Sequence, residues 1–274
     1  MIASVGVCVA SVVLGHGFWG EHVEGNGKKT TESRPVTAEV RRVSIAVPLD
    51  VEIREGNQTG LSITIDENLQ PLVETRERGD ELEIRIRENV SFQGKGRIDL
   101  TVTRLASMHA AGSGDVHVVT APVARNLELA TAGSGDVTFE GLADDLLLAS
   151  SGSGDVQSKG DAGRVELVAS GSGTIRHDGG SKSMRASSNG SGGLLLRGST
   201  GSLEVVCSGS GDVQAKDLAA KTAKLELVGS GDVTLTVNGG ELSLTLAGSG
   251  DVDWWGQAST MNVASVGSGT IQHH

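Results

Sequence analysis

Polar and apolar residues alternate with period two along much of this chain, the pattern of β-strands that bury one face. In Leu82-Glu83-Ile84-Arg85-Ile86-Arg87 the apolar side chains fall on one side and the charges on the other. Similar patterning predicts strands over 40–47, 49–54, 61–65, 81–87 and 98–104. Glycine-containing breaks at Gly56, Gly60, Gly79, Gly94 and Gly96 separate them. Pro35, Pro48, Pro71 and Pro122 all lie at or before the first of the repeats that follow, which suits an irregular cap better than a ladder that needs every N–H.

From Gly112 onward the alternation becomes strictly periodic. Gly-Ser-Gly-Asp-Val and its variants start at Gly112, Gly133, Gly152, Gly171, Gly190, Gly209, Gly229, Gly248 and Gly267, in steps of 19 to 21 residues. The fifth position is Val116, Val137, Val156, Ile175, Leu194, Val213, Val233, Val252 or Ile271, an unbroken apolar column. Two residues on, Val118, Phe139, Leu196, Leu235 and Trp254 point the same way, whereas Thr138, Gln157, Arg176, Gln214, Thr234 and Asp253 face water. Each rung reads as two main strands and at least two turns, with Gly141, Gly160, Gly179, Gly198 and Gly256 marking the second turn. Insertions at Ala121-Pro122 and 218–220 fall near that turn. Corner glycines are expected to supply positive φ.

A single rung buries too few side chains to offset the conformational entropy of its backbone, so the rungs must stack. The predicted fold is all-β, a parallel β-helix or β-solenoid with about nineteen residues per rung and a β-rich N-terminal cap. Four segments follow: a signal-peptide-like leader over 1–17, a flexible lead-in over 18–37, the cap or first irregular rungs over 38–110, and the repeats over 111–274.

Composition narrows the function. The formal net charge of -11 excludes a nucleic-acid partner, which needs clustered Lys and Arg. Aromatic residues make up 2% and Tyr is absent, while 40 residues are Gly; a thin β-stack tolerates this better than an ordinary enzyme core does. Met1 to Gly15 are almost wholly small or apolar, too short for a membrane span of about 20 residues but suited to an export leader. No Lys or Arg precedes that run, so an uncleaved membrane anchor and a buried N-terminal strand are the alternatives. Cys8 and Cys207 are the two cysteines; after cleavage no disulfide remains, and Cys207 reads as a small hydrophobe in a strand.

The repeated Gly-Ser-Gly-Asp-Val, preceded by Val51-Glu52-Ile53-Arg54-Glu55-Gly56 and by Asp66-Glu67-Asn68-Leu69-Gln70-Pro71-Leu72, resembles the bacterial putative auto-transporter adhesin head domain, or GIN domain. The likeness runs from about Val40 to the C-terminus. It implies a right-handed parallel β-helix in an exported envelope protein with no established enzymatic activity and no assigned catalytic residues. Thr174, Gly193 and Thr270 depart from the motif at the Asp position.

Chemistry could reside in the aspartates. Asp115, Asp136 and Asp155 lie on consecutive rungs, as do Asp212, Asp232 and Asp251, so each trio forms a carboxylate column and a candidate cation site. Charges about 4.8 Å apart repel by about 0.9 kcal/mol in water and about 3.5 kcal/mol at an effective dielectric of about 20. The simpler expectation is that each Asp accepts a hydrogen bond from its own turn. Calcium rolls use a nine-residue repeat with different Asp spacing, and a glycosidase pair needs two unlike environments, which a repeat does not provide. The Gly-Ser-Gly turns lack the helix and His partner of a hydrolase elbow. His117 and His177 fall on different faces, and His273-His274 reads as a solvated tail or a terminal zinc pair. Trp255 should face outward, where an indole can stack on sugar or anchor a partner.

These readings point to an exported, non-catalytic cell-envelope protein, without cofactor, acting as an adhesin-like surface-binding or scaffold module. Its ligand would be a glycan or an envelope protein, in the periplasm or at the cell surface. The alternatives are a cation-stabilised structural roll and a glycan-active lyase or hydrolase. The chain stops just after the ninth turn without an evident cap, so edge-to-edge self-association is also expected.

Overall fold

The computed structural model describes residues 22–87, 90–91, 95–120 and 124–274. The leader, Cys8, Gly94 and the Ala121-Pro122 insertion lie outside them. The N-terminal part comprises β1 (Val23–Glu24), β2 (Lys29–Arg34), β3 (Arg42–Ala46), β4 (Asp50–Glu55), β5 (Gly60–Asp66), a 3-10 turn (Glu67–Leu72), β6 (Val73–Arg78), β7 (Glu81–Ile86), β8 (Val90–Ser91) and β9 (Arg97–Val102). The repeats begin with β10 (Ser107–Ala110), β11 (Val116–Val119), β12 (Ala124–Thr131), β13 (Val137–Glu140), β14 (Ala143–Ser150), β15 (Val156–Lys159) and β16 (Ala162–Ala169). They continue with β17 (Ile175–Ser188), β18 (Leu194–Cys207), β19 (Val213–Gly229), β20 (Val233–Asn238), β21 (Glu241–Gly248), β22 (Val252–Gln257), β23 (Thr260–Gly267) and β24 (Ile271–His273).

All pairings among β10 to β24 are parallel, and each strand pairs with its counterpart one rung on: this is a parallel β-solenoid of about nine turns, about nineteen residues apart. The apolar column is in register throughout, Val116 opposite Val137, then Val156, Ile175, Leu194, Val213, Val233, Val252 and Ile271. It extends backward into the cap through Val51 and Ile98. In β17, β18 and β19 the strand runs straight across the second turn, and the 218–220 insertion is absorbed by register shifts there.

The cap is more regular than its prolines suggested, and it does not stack in chain order. The chain first lays down β3 and β4, moves outward through β5 and β6, returns through β7 and β9, then passes β3 and β4 to begin β10 and β11. β3 therefore lies between β7 and β10, and β4 between β9 and β11, all parallel. Antiparallel strands close this end: β6 on β7, β5 on β9, and β2 on β5. The buried Gln70 amide donates to the Thr30 and Ile63 carbonyls at 2.9 Å each, and the Arg34 guanidinium donates to the Val73 and Gln70 carbonyls, tying the turn to both layers. Those two N–H donations fix register that hydrophobicity leaves open, while Gln70 Oε1 is buried without a donor.

Steric fit, more than positive φ, explains the Gly-Ser-Gly corners. A Cβ on Gly133 would lie 1.9 Å from the carbonyl oxygen of Gly112, and one on Gly154 would lie 2.1 Å from that of Gly135. Neither has a left-handed backbone. The rungs approach closely at this corner, leaving no volume for a side chain. Positive φ occurs at only two of these corners, Gly248 (156°) and Gly267 (137°), and at several second turns, as at Gly198 (108°) and Gly256 (95°).

Candidate functional site

The repeated aspartates stand at the corner where the strand starting at the apolar column begins. Their hydrogen bonds run between rungs, not within their own turn as the local turn chemistry suggested. The Asp136 N–H donates to Asp115 Oδ1 at 3.0 Å, the Asp155 N–H to Asp136 Oδ1 at 2.8 Å, and the Thr174 N–H to Asp155 Oδ1 at 2.8 Å. A second run links Asp232 to Asp212, Asp251 to Asp232 and Thr270 to Asp251 at 2.7–2.9 Å. Backbone bonds pass the other way: the Val116 N–H donates to the Asp136 carbonyl and the Val137 N–H to the Asp155 carbonyl, at 2.8 and 2.9 Å. Each aspartate is thereby a two-way rivet between rungs.

The first run begins earlier than the motif. The Asp115 N–H donates to Asp50 Oδ1 at 3.3 Å, so Asp50 is the first member. Its only sequence signal is the Asp50-Val51 dipeptide before a strand, with Val47-Pro48-Leu49 standing in for Gly-Ser-Gly. Thr174 and Thr270 each end a run as donors, and Gly193, which has no side chain, separates the two.

Neighbours favour the charged form at two members of the column, Asp155 and Asp251. Burial works to raise the Asp155 carboxyl, but the Arg176 guanidinium at 2.5 Å and the Thr174 N–H outweigh it and hold the group below the usual carboxylate range. The N–H and hydroxyl of Thr270 hold Asp251 low in the same way. One oxygen of each linked carboxylate is thus committed to a backbone donor, which offsets the repulsion between successive charges. No cluster of three or more His, Cys, Asp or Glu side chains with metal-binding geometry occurs among the described residues. At the base of the ladder an open cleft of about 470 Å³ is lined by Asp50, Glu52, Lys95, Arg97, Asp115 and His117.

Two buried groups belong to the core. His177 is fully buried, with Nδ1 2.7 Å from the Ser158 hydroxyl and no hydrogen-bond partner at Nε2. Burial pushes its pKa down to about 4, against the opposing pull of Asp178 and Asp161. Burial and Asp212 push the Cys207 thiol up to about 12, so it packs as a small hydrophobe.

The aromatic patch lies at the other end. Trp254 is buried below Leu235 in the inward column, and His273 stacks on it with ring centroids 3.8 Å apart. Trp255 is half-buried: the His274 ring stacks on it at 4.6 Å, and Lys216 Nζ lies 4.1 Å from the ring centroid. His274 Nε2 is 2.7 Å from Asp253 Oδ1. The terminal histidines are solvent-exposed, as a tail would be, yet each ring stacks on an indole of the preceding rung.

Fold and corner chemistry together define a capped parallel β-solenoid stapled by inter-rung carboxylate–amide bonds. Among solved structures it is similar to a putative adhesin from Parabacteroides distasonis (19% identity, 93% of this chain and 100% of that chain, TM-score 0.68). It is also similar to a putative lipid binding protein from the same organism (21%, 93% and 100%, TM-score 0.69) and a putative adhesin from Parabacteroides merdae (17%, 92% and 99%, TM-score 0.67). At these identities the likeness shows the fold. The chain belongs to the family described as putative auto-transporter adhesin, head GIN domain, whose model matches residues 41–180, 169–258 and 222–273. No curated protein matches it.

Proposed function

We propose that the protein is an exported, non-catalytic, adhesin-like module of the bacterial envelope that binds or scaffolds through its outward faces. The observation that carries this is the contrast between the two sides of one strand. Inward positions repeat one chemistry from rung to rung, whereas the outward column Glu128, Leu147, Glu166, Arg185, Glu204, Lys224, Ser243 and Asn262 changes at every step while staying in register. A long rigid surface with a different side chain every rung suits recognition of an extended partner such as a glycan or an envelope protein. The aspartates support a structural role, since each linked carboxylate spends one oxygen on the backbone N–H of the next rung.

A glycan array read beside a hydrolysis assay on the same polymers tests the reading. Binding without turnover is expected; product release would replace it with the glycan-active alternative. A melt in excess chelator addresses the cation-stabilised roll: an unchanged midpoint supports a ladder held by backbone amides, and a large fall supports bound cations. Fractionation with protease treatment of intact cells distinguishes surface from periplasm.

A further inference from the structure

The sheet face built from β12, β14, β16, β17, β18, β19 and β21 carries two open clefts of about 370 Å³ each. In the first, Asn126, Asp145 and Arg164 form one wall and Glu128, Leu147 and Glu166 the other. In the second, further along the solenoid, Ser202, Thr222 and Glu241 face Glu204, Lys224 and Ser243. The register puts both on one line, because Asp145, Arg164, Ser183, Ser202 and Thr222 are successive partners from rung to rung, as are Glu166, Arg185, Glu204 and Lys224. They are two stretches of a single track that runs parallel to the solenoid axis.

Charges of opposite sign stand on neighbouring rungs of this track. Arg164 Nε lies 3.8 Å from Asp145 Oδ1, Arg185 is 3.1 Å from Glu204 Oε2, and Lys224 Nζ is 3.8 Å from Glu204 Oε1. Each cation of the track is thus already matched by a carboxylate. A polymer of uniform charge laid along it meets a like charge within a rung or two. A chain of hydroxyls does not, because each O–H can donate to a carboxylate and accept from the guanidinium or ammonium beside it. The pitch also discriminates. Rungs repeat about every 4.8 Å, whereas an extended peptide advances about 3.4 Å per residue and soon falls out of step. One sugar ring of an extended β-linked chain is close to one rung long.

We propose that the track binds a linear, uncharged, β-linked polysaccharide lying along the solenoid axis, one sugar to a rung. This rests on the adhesin-like reading above and names its ligand. Single sugars find only a few hydrogen bonds here, so affinity comes from a chain long enough to occupy both clefts at once.

Surface plasmon resonance of the full chain tests this, over immobilised β-glucan, β-mannan and chitin oligomers, with polygalacturonate and chitosan as charged counterparts. Binding to at least one uncharged polymer and to neither charged one is expected. Soluble oligomers of the bound sugar should compete more strongly as they lengthen, up to about six units, the reach of the two clefts. Glu204→Lys puts three cations on consecutive rungs, and should weaken binding by about tenfold or more and admit polygalacturonate. Should that variant fail to fold by circular dichroism, Lys224→Glu breaks the alternation with the opposite sign and should weaken binding as much. Gln157→Lys, on a different sheet face, should change nothing. Preference for a charged polymer, or glycan binding that survives both track variants, would overturn the proposal; the second result leaves the adhesin-like reading standing with its glycan on another face. Binding to isolated envelopes that protease treatment abolishes, with no polymer bound, also overturns the track and keeps that reading, whereas no binding to polymers or envelopes counts against both.

Discussion

The repeat body and the cap use the same alternation of apolar and polar residues but are specified differently. In the body, neighbouring rungs follow one another in the chain, and register is set by a corner that admits only glycine and an aspartate that grips the next rung. In the cap, β3 and β4 are inserted between strands that come later in the chain, and the closing strands run antiparallel. The body can therefore be assembled by local addition, whereas the cap needs contacts between distant segments before it is complete. Repetition makes a structure legible and uniform; closure demands one-off solutions such as the Gln70 amide between two layers.

The largest test of this contrast is a pair of glycine substitutions. Gly154→Val drives a side chain into the Gly135 carbonyl, 2.1 Å from an ideal Cβ, and should cost more than about 4 kcal/mol, abolishing cooperative unfolding at 37 °C. Gly60→Ala in the cap, with nothing within 4 Å of the added carbon, should stay within about 0.5 kcal/mol in the same urea titration. Equal effects would remove the distinction between the two regions.

Next in size is the buried imidazole. His177 titrates near 4 when folded, against about 6.5 when unfolded, so the unfolded chain binds the extra proton between those values. Its contribution is fully present above about pH 6.5 and is lost as pH falls toward about 4, by about 3 kcal/mol in total. Replacing the pair by Ser158→Ala and His177→Leu should flatten the stability–pH curve over that window; an unaltered slope would assign it elsewhere.

Smaller effects sharpen the ladder. Asp136→Ala removes the acceptor of the Asp155 N–H and should cost about 1 kcal/mol by chemical denaturation, with Asp136→Asn costing less because an amide oxygen can still accept. In the cap, the Arg85 and Arg87 guanidinium groups bonded to Glu74 hold its carboxyl low. Glu74→Gln should lower the unfolding midpoint least of all, by an amount that shrinks with added salt.

Much of this could be read in advance because a period of about nineteen residues, a strict apolar column and Gly-Ser-Gly corners leave one economical packing. The wrong expectations have a common cause. Own-turn bonding by the aspartates, and positive φ at most of the Gly-Ser-Gly corners, are what each short segment does by itself, and both gave way to the neighbouring rung. Asp50 was missed because it occupies the aspartate position without the motif around it, and the terminal histidines because their stacking partners lie 19 residues away.

The sequence by itself determined strands, rung length and the inward column, since all of these follow from side-chain periodicity along one strand. Only the tertiary structure decided what the corner residues bind and in which order the cap strands stack. Those depend on which backbone lies about 4.8 Å above or below a given residue, and separation across a stack is not encoded in any single rung.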